Sequence, residues 1–364
     1  MISSIRHASY PLYALLITAI SLLTPTTSLA ADIPINLTDT RQLVLKALPD
    51  PCVIRVADTY YAYGTTDPGQ GFQAYKSQNL TDWQSLGFVF KKTESSWGQK
   101  HYWAPCVVQK NNKFYLFYST FGPINGTWGR AGHRIGVAIS ESGPQGPFIE
   151  QKIPLFGVGK SIIDAEVFID NDGSAYLYYV LDISENKRSE IFVVKLSDDL
   201  LSIADQWDQD DTTSNEPVWC AEPIGKWEGK QWNEGPNVFR VDKWYIMMYS
   251  ANGFFTPDYS VGYAIAPSPR GPWFKSPSNP IIKKDPSSAP NPIVGTGHSD
   301  VVQDPTGQYY IFYHAHSQDR GVKRRDLYAQ KLYIQPDKDL ILKLTLTPQP
   351  APHNQSTSTP PIKD

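Results

Sequence analysis

Apolar residues in this chain occur in short runs, and one arrangement of these runs returns five times. A phrase of apolar residues around a valine is followed shortly by a run rich in tyrosine and phenylalanine. The five phrases are Asp50–Ile54, Ala104–Val108, Asp164–Phe168, Gly235–Phe239 and His298–Val302. The five aromatic runs are Tyr60–Tyr63, Phe114–Tyr118, Tyr176–Tyr179, Trp244–Tyr249 and Tyr309–Tyr313. Short runs of β-branched and aromatic residues, with Gly and Pro between them, predict β-strands.

The spacing of the repeats predicts the fold. The valines of the five phrases lie 54, 60, 71 and 63 residues apart, and strand repeats of about 40–60 residues are typical of a β-propeller. Further strand-like runs, which we assign as third strands of their units, are Ile135–Ile139, Ile191–Val194 and Val261–Ile265. Asn171-Asp172-Gly173 predicts a tight hairpin turn in the third unit. We therefore predict an all-β fold, a five-bladed β-propeller with four-stranded blades. It forms a catalytic domain over residues 31–346, with blades from about residue 41.

The residues that begin each phrase are the candidates for chemistry, because equivalent positions of propeller repeats lie on one ring around the central axis. Three residues before each valine stand Asp50, Ala104, Asp164, Gly235 and His298, and Glu234 directly precedes Gly235. Taken singly, each could be structural, since Asp50 before Pro51 also favours a turn. Together they place three carboxylates and one imidazole at one end of the axial cavity. This set suits glycoside hydrolysis, in which one carboxylic acid protonates the leaving oxygen and one carboxylate activates water or attacks.

The net charge indicates the kind of ligand that the protein binds, and the N-terminal residues indicate its cellular compartment. The net charge of −3 and the absence of long basic runs argue against nucleic acid and fit a neutral ligand. Arg6, the apolar stretch from Leu12 to Leu23 and Ser28-Leu29-Ala30 predict a signal peptide at residues 1–30. The protein is then secreted, to the extracellular space or the periplasm, with an uncleaved membrane anchor as the alternative. Residues 347–364 are polar and rich in Pro, Ser and Thr, which predicts a disordered tail.

The chain has three cysteines, too few for a disulfide scaffold. Cys52 and Cys106 occupy the same position in consecutive repeats, where neighbouring blades approach one another near the axis. Both a disulfide and two buried thiols fit this placement. Cys220 is expected to be buried and inert.

Five motifs, in order and in phase, resemble the successive blade motifs of glycoside hydrolase family 43. They are Leu48-Pro49-Asp50-Pro51, His101-Tyr102-Trp103-Ala104-Pro105, Ile163-Asp164-Ala165-Glu166-Val167-Phe168 with Asp172-Gly173, Glu234-Gly235-Pro236 and Gly297-His298-Ser299. The resemblance runs from about Ala47 to Ile334. It implies a five-bladed propeller that hydrolyses arabinose- and xylose-containing plant polysaccharides with inversion.

The resemblance also implies roles for the three acids. Asp50 is the expected general base, Glu234 the general acid, and Asp164 the third acid, which raises the pKa of Glu234 and orients it. The physics agrees, because a neighbouring negative charge makes ionisation of an acid costlier. An inverting enzyme would hold the carboxyl groups of Asp50 and Glu234 roughly 6.5–9.5 Å apart, which leaves room for water.

Three more residues are expected to bind substrate. By this resemblance, Trp103 is expected to form one wall of the sugar pocket. Arg325 matches the family's arginine in the last blade, which keeps the base ionised. Its neighbour Arg324 is the less favoured candidate for that position. His298 matches the histidine that in many members lies beside an axial calcium and its waters. The resemblance thus implies no required cofactor and is compatible with a structural Ca²⁺ near His298.

The loops decide the substrate within the family. Insertions lie at Phe121–His133, Val180–Glu190 and Asp205–Trp232, and long loops more often wall a pocket than leave an open groove. The two-domain β-xylosidases of the family carry a C-terminal sandwich, which does not follow the propeller in this sequence. We therefore favour an exo-acting α-L-arabinofuranosidase, with endo-1,5-α-L-arabinanase and β-xylosidase as open alternatives.

Two readings from other classes stay open at this point. A five-bladed propeller can be a non-catalytic sugar-binding lectin, although lectin repeats usually place one site in each blade. A fructan-cleaving propeller would use a retaining pair of acids, which the order of acids here fits less well. In each case the expected partner is an oligo- or polysaccharide. We expect no nucleic acid, no membrane after signal cleavage, and a monomer.

Overall fold

The computed structural model of the protein describes residues 35–122, 132–151, 155, 160–204, 218–287, 292–337 and 341–348. The predicted signal peptide at residues 1–30 and residues 349–364 of the predicted tail lie outside this part of the chain. So do residues 123–131, most of the predicted insertion at Phe121–His133, and residues 205–217, the first part of the predicted insertion at Asp205–Trp232. No helix within the described ranges is long and apolar enough to cross a membrane.

The described residues form five antiparallel sheets, which confirms the predicted five-bladed β-propeller. The first strand, β1 (Gln42–Leu45), belongs to the last blade. Blade 1 consists of β2 (Cys52–Val56), β3 (Thr59–Tyr63), β4 (Gly71–Ser77) and β5 (Gln84–Lys91). Blade 2 consists of β6 (Lys100–Lys110), β7 (Lys113–Phe121), β8 (His133–Ser140) and β9 (Ile149–Glu150). Blade 3 consists of β10 (Ile162–Ile169), β11 (Ala175–Leu181), the one-turn helix α1 (Ile183–Asn186), β12 (Glu190–Leu196) and β13 (Val218–Ala221).

The last two blades complete the ring. Blade 4 consists of β14 (Asn233–Val241), β15 (Trp244–Ala251), β16 (Ser260–Ala266) and β17 (Phe274–Lys275). Blade 5 contains β18 (Gly297–Gln303), β19 (Tyr309–Ser317), β20 (Gly321–Asp337) and β21 (Ile341–Thr345). The predicted third strands correspond to β8, β12 and β16. The turn at Asn171-Asp172-Gly173 joins β10 to β11, as predicted.

Blade 5 differs from the simple repeat that the sequence suggested. Its sheet has the order β18-β19-β20-β1, so its outermost strand comes from the N-terminal side of blade 1. Gln42 pairs with Ala329, and Leu43 with Tyr328. Pairing the two ends of the propeller in one sheet closes the ring with backbone hydrogen bonds. No strand was predicted at Gln42–Leu45, because these residues precede the first repeated phrase.

The core lies between the blades. Five clusters of buried apolar residues are found among the described residues, and each joins two neighbouring blades. Phe117 of blade 2 packs in one cluster with Leu177 of blade 3, for example. Val53 of blade 1 packs with Phe312 of blade 5 at the point of closure. Face-to-face packing of sheets therefore holds the innermost strands, and with them the residues of the axial ring, in fixed positions.

The cysteines are free thiols rather than a disulfide. Cys52 and Cys106 are both buried. The N–H of Val107 donates to Cys52 Sγ at 3.1 Å, and the N–H of Val167 donates to Cys106 Sγ at 3.3 Å. Of the two alternatives left open by the sequence, the structure has buried thiols that act as hydrogen-bond acceptors for the next blade. Cys220 is also free and buried, as expected.

The five ring residues share an uncommon backbone conformation. Their φ angles lie between 43° and 56°, in the left-handed region, for Asp50, Ala104, Asp164, Gly235 and His298. Non-glycine residues seldom adopt this region, and such strain collects at functional sites. In blades 2 to 5 the pairing of the first two strands also shifts register close to this position. A register shift of this kind re-aims side chains at the start of a strand.

Candidate active site

Hydrogen bonds to neighbouring blades hold the ring residues in this conformation. The N–H of Ala104 donates to Thr65 Oγ1 at 2.8 Å, and the N–H of Asp164 donates to Ser119 Oγ at 2.9 Å. Ser250 Oγ likewise accepts from the N–H of His298, at 2.7 Å. Each acceptor lies within two residues of the end of the second strand of the preceding blade. The blades therefore fix one another's first residues, and the acid ring is preorganised.

These acceptors, which position the ring residues, were not predicted, although the sequence contains a signal for them. Thr65, Ser119 and Ser250 each lie twelve residues after the valine of their own repeat. In blade 5 the corresponding acceptor is one residue further along, His314, whose Nδ1 accepts the N–H of Asp50 at 3.2 Å. A polar residue that follows the aromatic run at nearly the same distance from the valine of each repeat could have identified this second ring of residues.

Asp50 is a buried carboxylate held by a guanidinium. Arg325 donates from Nη1 to Asp50 Oδ1 at 2.6 Å and from Nη2 to Oδ2 at 3.3 Å. Burial alone would raise the pKa of Asp50, but the positive charge of Arg325 and then His298 outweigh it, so that the pKa lies well below its usual value. Asp50 is therefore ionised at any working pH near neutrality, as a general base must be. Arg324, the less favoured neighbour, pairs with Asp326 instead, at 3.3 Å.

His314 is neutral beside this pair. Its ring is fully buried, and burial together with the positive charge of Arg325 lowers its pKa to about 3. The same conclusion follows from the hydrogen bond, because Nδ1 can accept the N–H of Asp50 only when it carries no proton. His314 thus supports the backbone of the base without adding a charge.

Asp164 and Glu234 form the other side of the site. Asp164 Oδ2 accepts the N–H of Gly235, the residue after Glu234, at 3.0 Å. Burial raises the pKa of both carboxyl groups. For Glu234 the negative charge of Asp164 adds to the effect of burial, and the pKa lies well above its usual value. Glu234 is therefore suited to hold a proton near neutral pH, as a general acid does.

Tyr259 is a further residue of the site that the sequence did not single out. It is 1% exposed and hydrogen-bonds to Glu234, which opposes the rise in the pKa of that acid. Its ring stacks on His314 with centroids 5.6 Å apart. A Cβ at Gly297 would come within 2.0 Å of the tyrosine ring. Glycine before His298 therefore makes room for the ring that supports the acid.

His298 lies between two of the acids. Its Nδ1 is 3.5 Å from Asp50 Oδ1 and 4.0 Å from Asp164 Oδ2. Calcium takes six to eight oxygen ligands, and the described residues contain no group of three or more His, Cys, Asp or Glu side chains placed to hold a metal. The surroundings of His298 are thus not a ready-made protein cage for calcium, and we derive no step through a metal. Calcium near His298 stays a prediction, for which metal analysis of the purified protein is the test.

Trp103 directly precedes the ring residue Ala104 and belongs to a stack of rings. Its indole stacks on His101 at 4.6 Å and on His133 at 4.5 Å between centroids. His101 Nδ1 and His133 Nε2 are 3.0 Å apart, and His133 Nδ1 lies 3.8 Å from Asp182, just before α1. The described part of the insertion at Val180–Glu190 therefore supports this stack.

A second layer of acids lies further along the axis. Asn237 Nδ2 donates to Glu166 Oε1 at 3.1 Å and to Asp300 Oδ1 at 2.5 Å. Burial raises the pKa of Glu166 well above its usual value and that of Asp300 to about 7. These residues line a small enclosed cavity together with Asp164 and His298. Glu166 and Asp300 lie within the repeated phrases of blades 3 and 5, but no role was predicted for them.

Comparison with known proteins agrees with this geometry. The family model described as "Glycosyl hydrolases family 43" matches residues 41–339, most of the chain. The chain belongs to glycosyl hydrolase family 43. A solved structure of a thermostable family 43 glycoside hydrolase superposes with a TM-score of 0.71 and 37% identity, over 87% of this chain and 98% of that one. An endo-1,4-β-xylanase from Bacteroides thetaiotaomicron superposes with a TM-score of 0.68 and 30% identity, over 84% and 97%.

Two curated relatives match this chain over only part of their own length. The β-xylosidase of Bacillus subtilis is 24% identical over 74% of this chain and 48% of its own length. The protein named "Beta-D-galactofuranosidase xynD" of Aspergillus niger is 28% identical over 67% and 65%. The chain thus spans about half to two thirds of these relatives. The names of the relatives differ in substrate, so family membership alone does not choose the sugar.

Proposed function

We propose that this family 43 protein is an inverting glycoside hydrolase that acts on arabinose- or xylose-containing plant polysaccharides. The observation that carries the proposal is the contrast between two buried carboxyl groups at one site: Asp50 is paired with Arg325 at 2.6 Å, whereas Asp164, a second acid, binds the peptide that follows Glu234. The pKa of Asp50 lies well below its usual value, and that of Glu234 lies well above it. Two carboxyl groups in opposite protonation states at the same pH are what acid–base hydrolysis of a glycosidic bond requires.

Each residue then has a defined part in the reaction. Asp50 accepts a proton from a water molecule, whose oxygen attacks the anomeric carbon from the face opposite the leaving group. Glu234 donates its proton to the glycosidic oxygen as the bond to the anomeric carbon breaks. Asp164 holds the peptide that follows Glu234 and keeps that acid protonated through its charge. Arg325 keeps Asp50 ionised.

Within this class we favour release of single sugars by an exo-acting α-L-arabinofuranosidase. The support is the wall beside the acid ring, where Trp103, His101 and His133 stack and the insertion before α1 places Asp182 against His133. A wall of this kind suits a pocket for one terminal sugar more than an open groove. A β-xylosidase is the second candidate, because the B. subtilis relative carries that name.

A substrate panel tests the proposal. The purified protein should be incubated with aryl α-L-arabinofuranoside, aryl β-D-xyloside, debranched arabinan, arabinoxylan and sucrose, with chromatographic analysis of products. Free arabinose as the first product supports the α-L-arabinofuranosidase. Free xylose identifies a β-xylosidase, and oligosaccharides from arabinan identify an endo-arabinanase. Hydrolysis of sucrose alone, or of nothing while sugars still bind, would overturn the proposal in favour of a fructan-cleaving enzyme or a lectin.

We also propose that the protein is secreted, on the grounds of the apolar stretch from Leu12 to Leu23 and the small residues that end at Ala30. N-terminal sequencing of protein recovered outside the cytoplasm tests this, with Ala31 as the expected first residue. A first residue of Met1 would contradict signal cleavage. The monomeric state stays a prediction for light scattering.

A further inference from the structure

Two exposed phenylalanines form an unusual turn beside the catalytic ring. Phe254 is 41% exposed and Phe255 is 51% exposed, and both lie in the loop between β15 and β16. Their turn is closed by the N–H of Thr256, which donates to the carbonyl of Gly253 at 2.8 Å. Turn corners are usually taken by Gly, Pro, Asn, Asp or Ser. Two adjacent phenyl rings at a corner leave a contiguous apolar surface in solvent, which points to a ligand.

The turn is held rigidly. His316 Nε2 donates to the carbonyl of Phe254 at 2.7 Å. Asn252 Nδ2 donates to the carbonyls of Trp227 at 3.0 Å and Asp258 at 2.8 Å. A Cβ at Gly253 would lie 2.6 Å from the Phe255 ring, so glycine lets that ring pack on the backbone. A fixed ring loses little conformational entropy when a ligand stacks on it.

The aromatic rings connect the two sides of the catalytic site. The guanidinium of Arg325, which holds Asp50, lies 4.9 Å from the centre of the Phe254 ring. The rings of Phe254 and Phe255 meet edge to face at 5.6 Å. Phe255 in turn meets the partly buried indole of Trp232 at 5.5 Å. Trp232 stands two residues before Glu234, so the row of rings runs from the base side to the acid side.

We propose that Phe255 and Trp232 form the binding surface for the leaving-group sugar, the residue that departs from the side of Glu234. The inference rests on the proposed function and deepens it, because it makes this surface a determinant of preference for oligosaccharides. The apolar face of a pyranose or furanose ring stacks on an aromatic ring. The general acid must lie next to the leaving oxygen, so rings adjoining the segment that carries Glu234 face the leaving sugar.

Binding to an inactive background tests the inference. In Asp50→Asn, which retains substrate uncleaved, dissociation constants are measured by calorimetry for xylotriose, α-1,5-arabinotriose, xylose and arabinose. A single sugar fills only the pocket at the acids, whereas a trisaccharide also reaches the leaving-group side. Adding Phe255→Ala should weaken trisaccharide binding. The ratio of the monosaccharide to the trisaccharide dissociation constant, here called the trisaccharide advantage, should fall by about three- to tenfold, the size of one aromatic contact. Phe255→Tyr should restore the advantage.

The matched control is Phe274→Ala, since Phe274 is 62% exposed but lies on β17, the outermost strand of the same blade. In this control the ratio of the monosaccharide to the trisaccharide dissociation constant should keep its starting value. An unchanged ratio in Phe255→Ala, with the melting temperature preserved, would overturn the inference while hydrolysis by the unaltered protein upholds the proposed function. A protein that hydrolyses none of the panel substrates would overturn both. If Phe255→Tyr also loses the advantage of the trisaccharide over the monosaccharide, Phe255 has a packing role and the inference is overturned.

Discussion

Replacing Arg325 with methionine should move the acidic limb of the pH–activity profile to higher pH. Activity rises through this limb as the base Asp50 loses its proton. Arg325 is the largest influence that lowers the pKa of Asp50, and it acts against burial, which raises it. Without the guanidinium, burial dominates and the base stays protonated to higher pH.

The size of the shift follows from the ion pair. Arg325 and Asp50 have side chains only 14% and 11% exposed and meet at 2.6 Å. Two opposite unit charges about 4 Å apart attract by about 4 kcal/mol at an effective dielectric constant of 20. One pKa unit corresponds to about 1.4 kcal/mol, so the limb should move up by as much as about 3 units. His298 remains 3.5 Å from Asp50 in the variant and keeps the shift at or below that value.

The assay is the pH dependence of kcat/KM on whichever aryl glycoside the protein hydrolyses. Arg325→Lys is the control, because it keeps the charge but loses the two-pronged geometry, and its limb should lie between those of the other two proteins. Melting temperatures should confirm that each variant is folded. Activity in Arg325→Met that falls equally at every pH, with the limb in place, would refute the reasoning and make Arg325 a substrate-binding residue only.

Two further predictions follow from the buried groups. In Tyr259→Phe the ring remains stacked, but Glu234 loses a hydrogen bond that lowers its pKa. The alkaline limb of the pH–activity profile should therefore move to higher pH. An alkaline limb that stays in place would show that Tyr259 does not set the pKa of Glu234. In Glu166→Gln the stability of the fold should depend less on pH. The folded-state pKa of Glu166 is raised and that of Asp300 is about 7. The native state therefore binds more protons than the unfolded state between about pH 4 and 7. Because of this difference, the stability of the fold falls as pH rises through that window. Glutamine keeps an acceptor for Asn237 and does not ionise, so the melting temperature at pH 8 should rise by several degrees, whereas the control Glu94→Gln, at an exposed side chain, should match the unaltered protein. A slope in Glu166→Gln equal to that of the control would contradict this account.

The acid ring was predictable because a propeller converts sequence phase into spatial position. Asp50, Asp164 and His298 lie more than a hundred residues apart in sequence, yet each occupies the first position of its repeat. Radial repetition then places them around one axis. The partner of Asp50, Arg325, came from the family resemblance and not from phase.

Other features could not be predicted because they depend on contacts that do not repeat. β1 closes blade 5 from the far end of the propeller, and no local pattern marks such a partner. Tyr259 reaches Glu234 only because Gly297 on the next blade leaves space for its ring. The contact between Phe254 and Arg325 joins a loop of blade 4 to a strand of blade 5, and it has no counterpart elsewhere in the repeat phrases that could have indicated it.

The central claim is that Asp50 and Glu234 act together on one glycosidic bond, and turnover of two isosteric variants tests it most directly. Asp50→Asn and Glu234→Gln keep the shape of each side chain and remove its proton chemistry. General acid–base catalysis contributes about 10²- to 10⁴-fold for each group. Each variant should therefore lose at least about a hundredfold in kcat while its melting temperature shows an intact fold. Turnover equal to that of the unaltered protein in either folded variant would contradict the account.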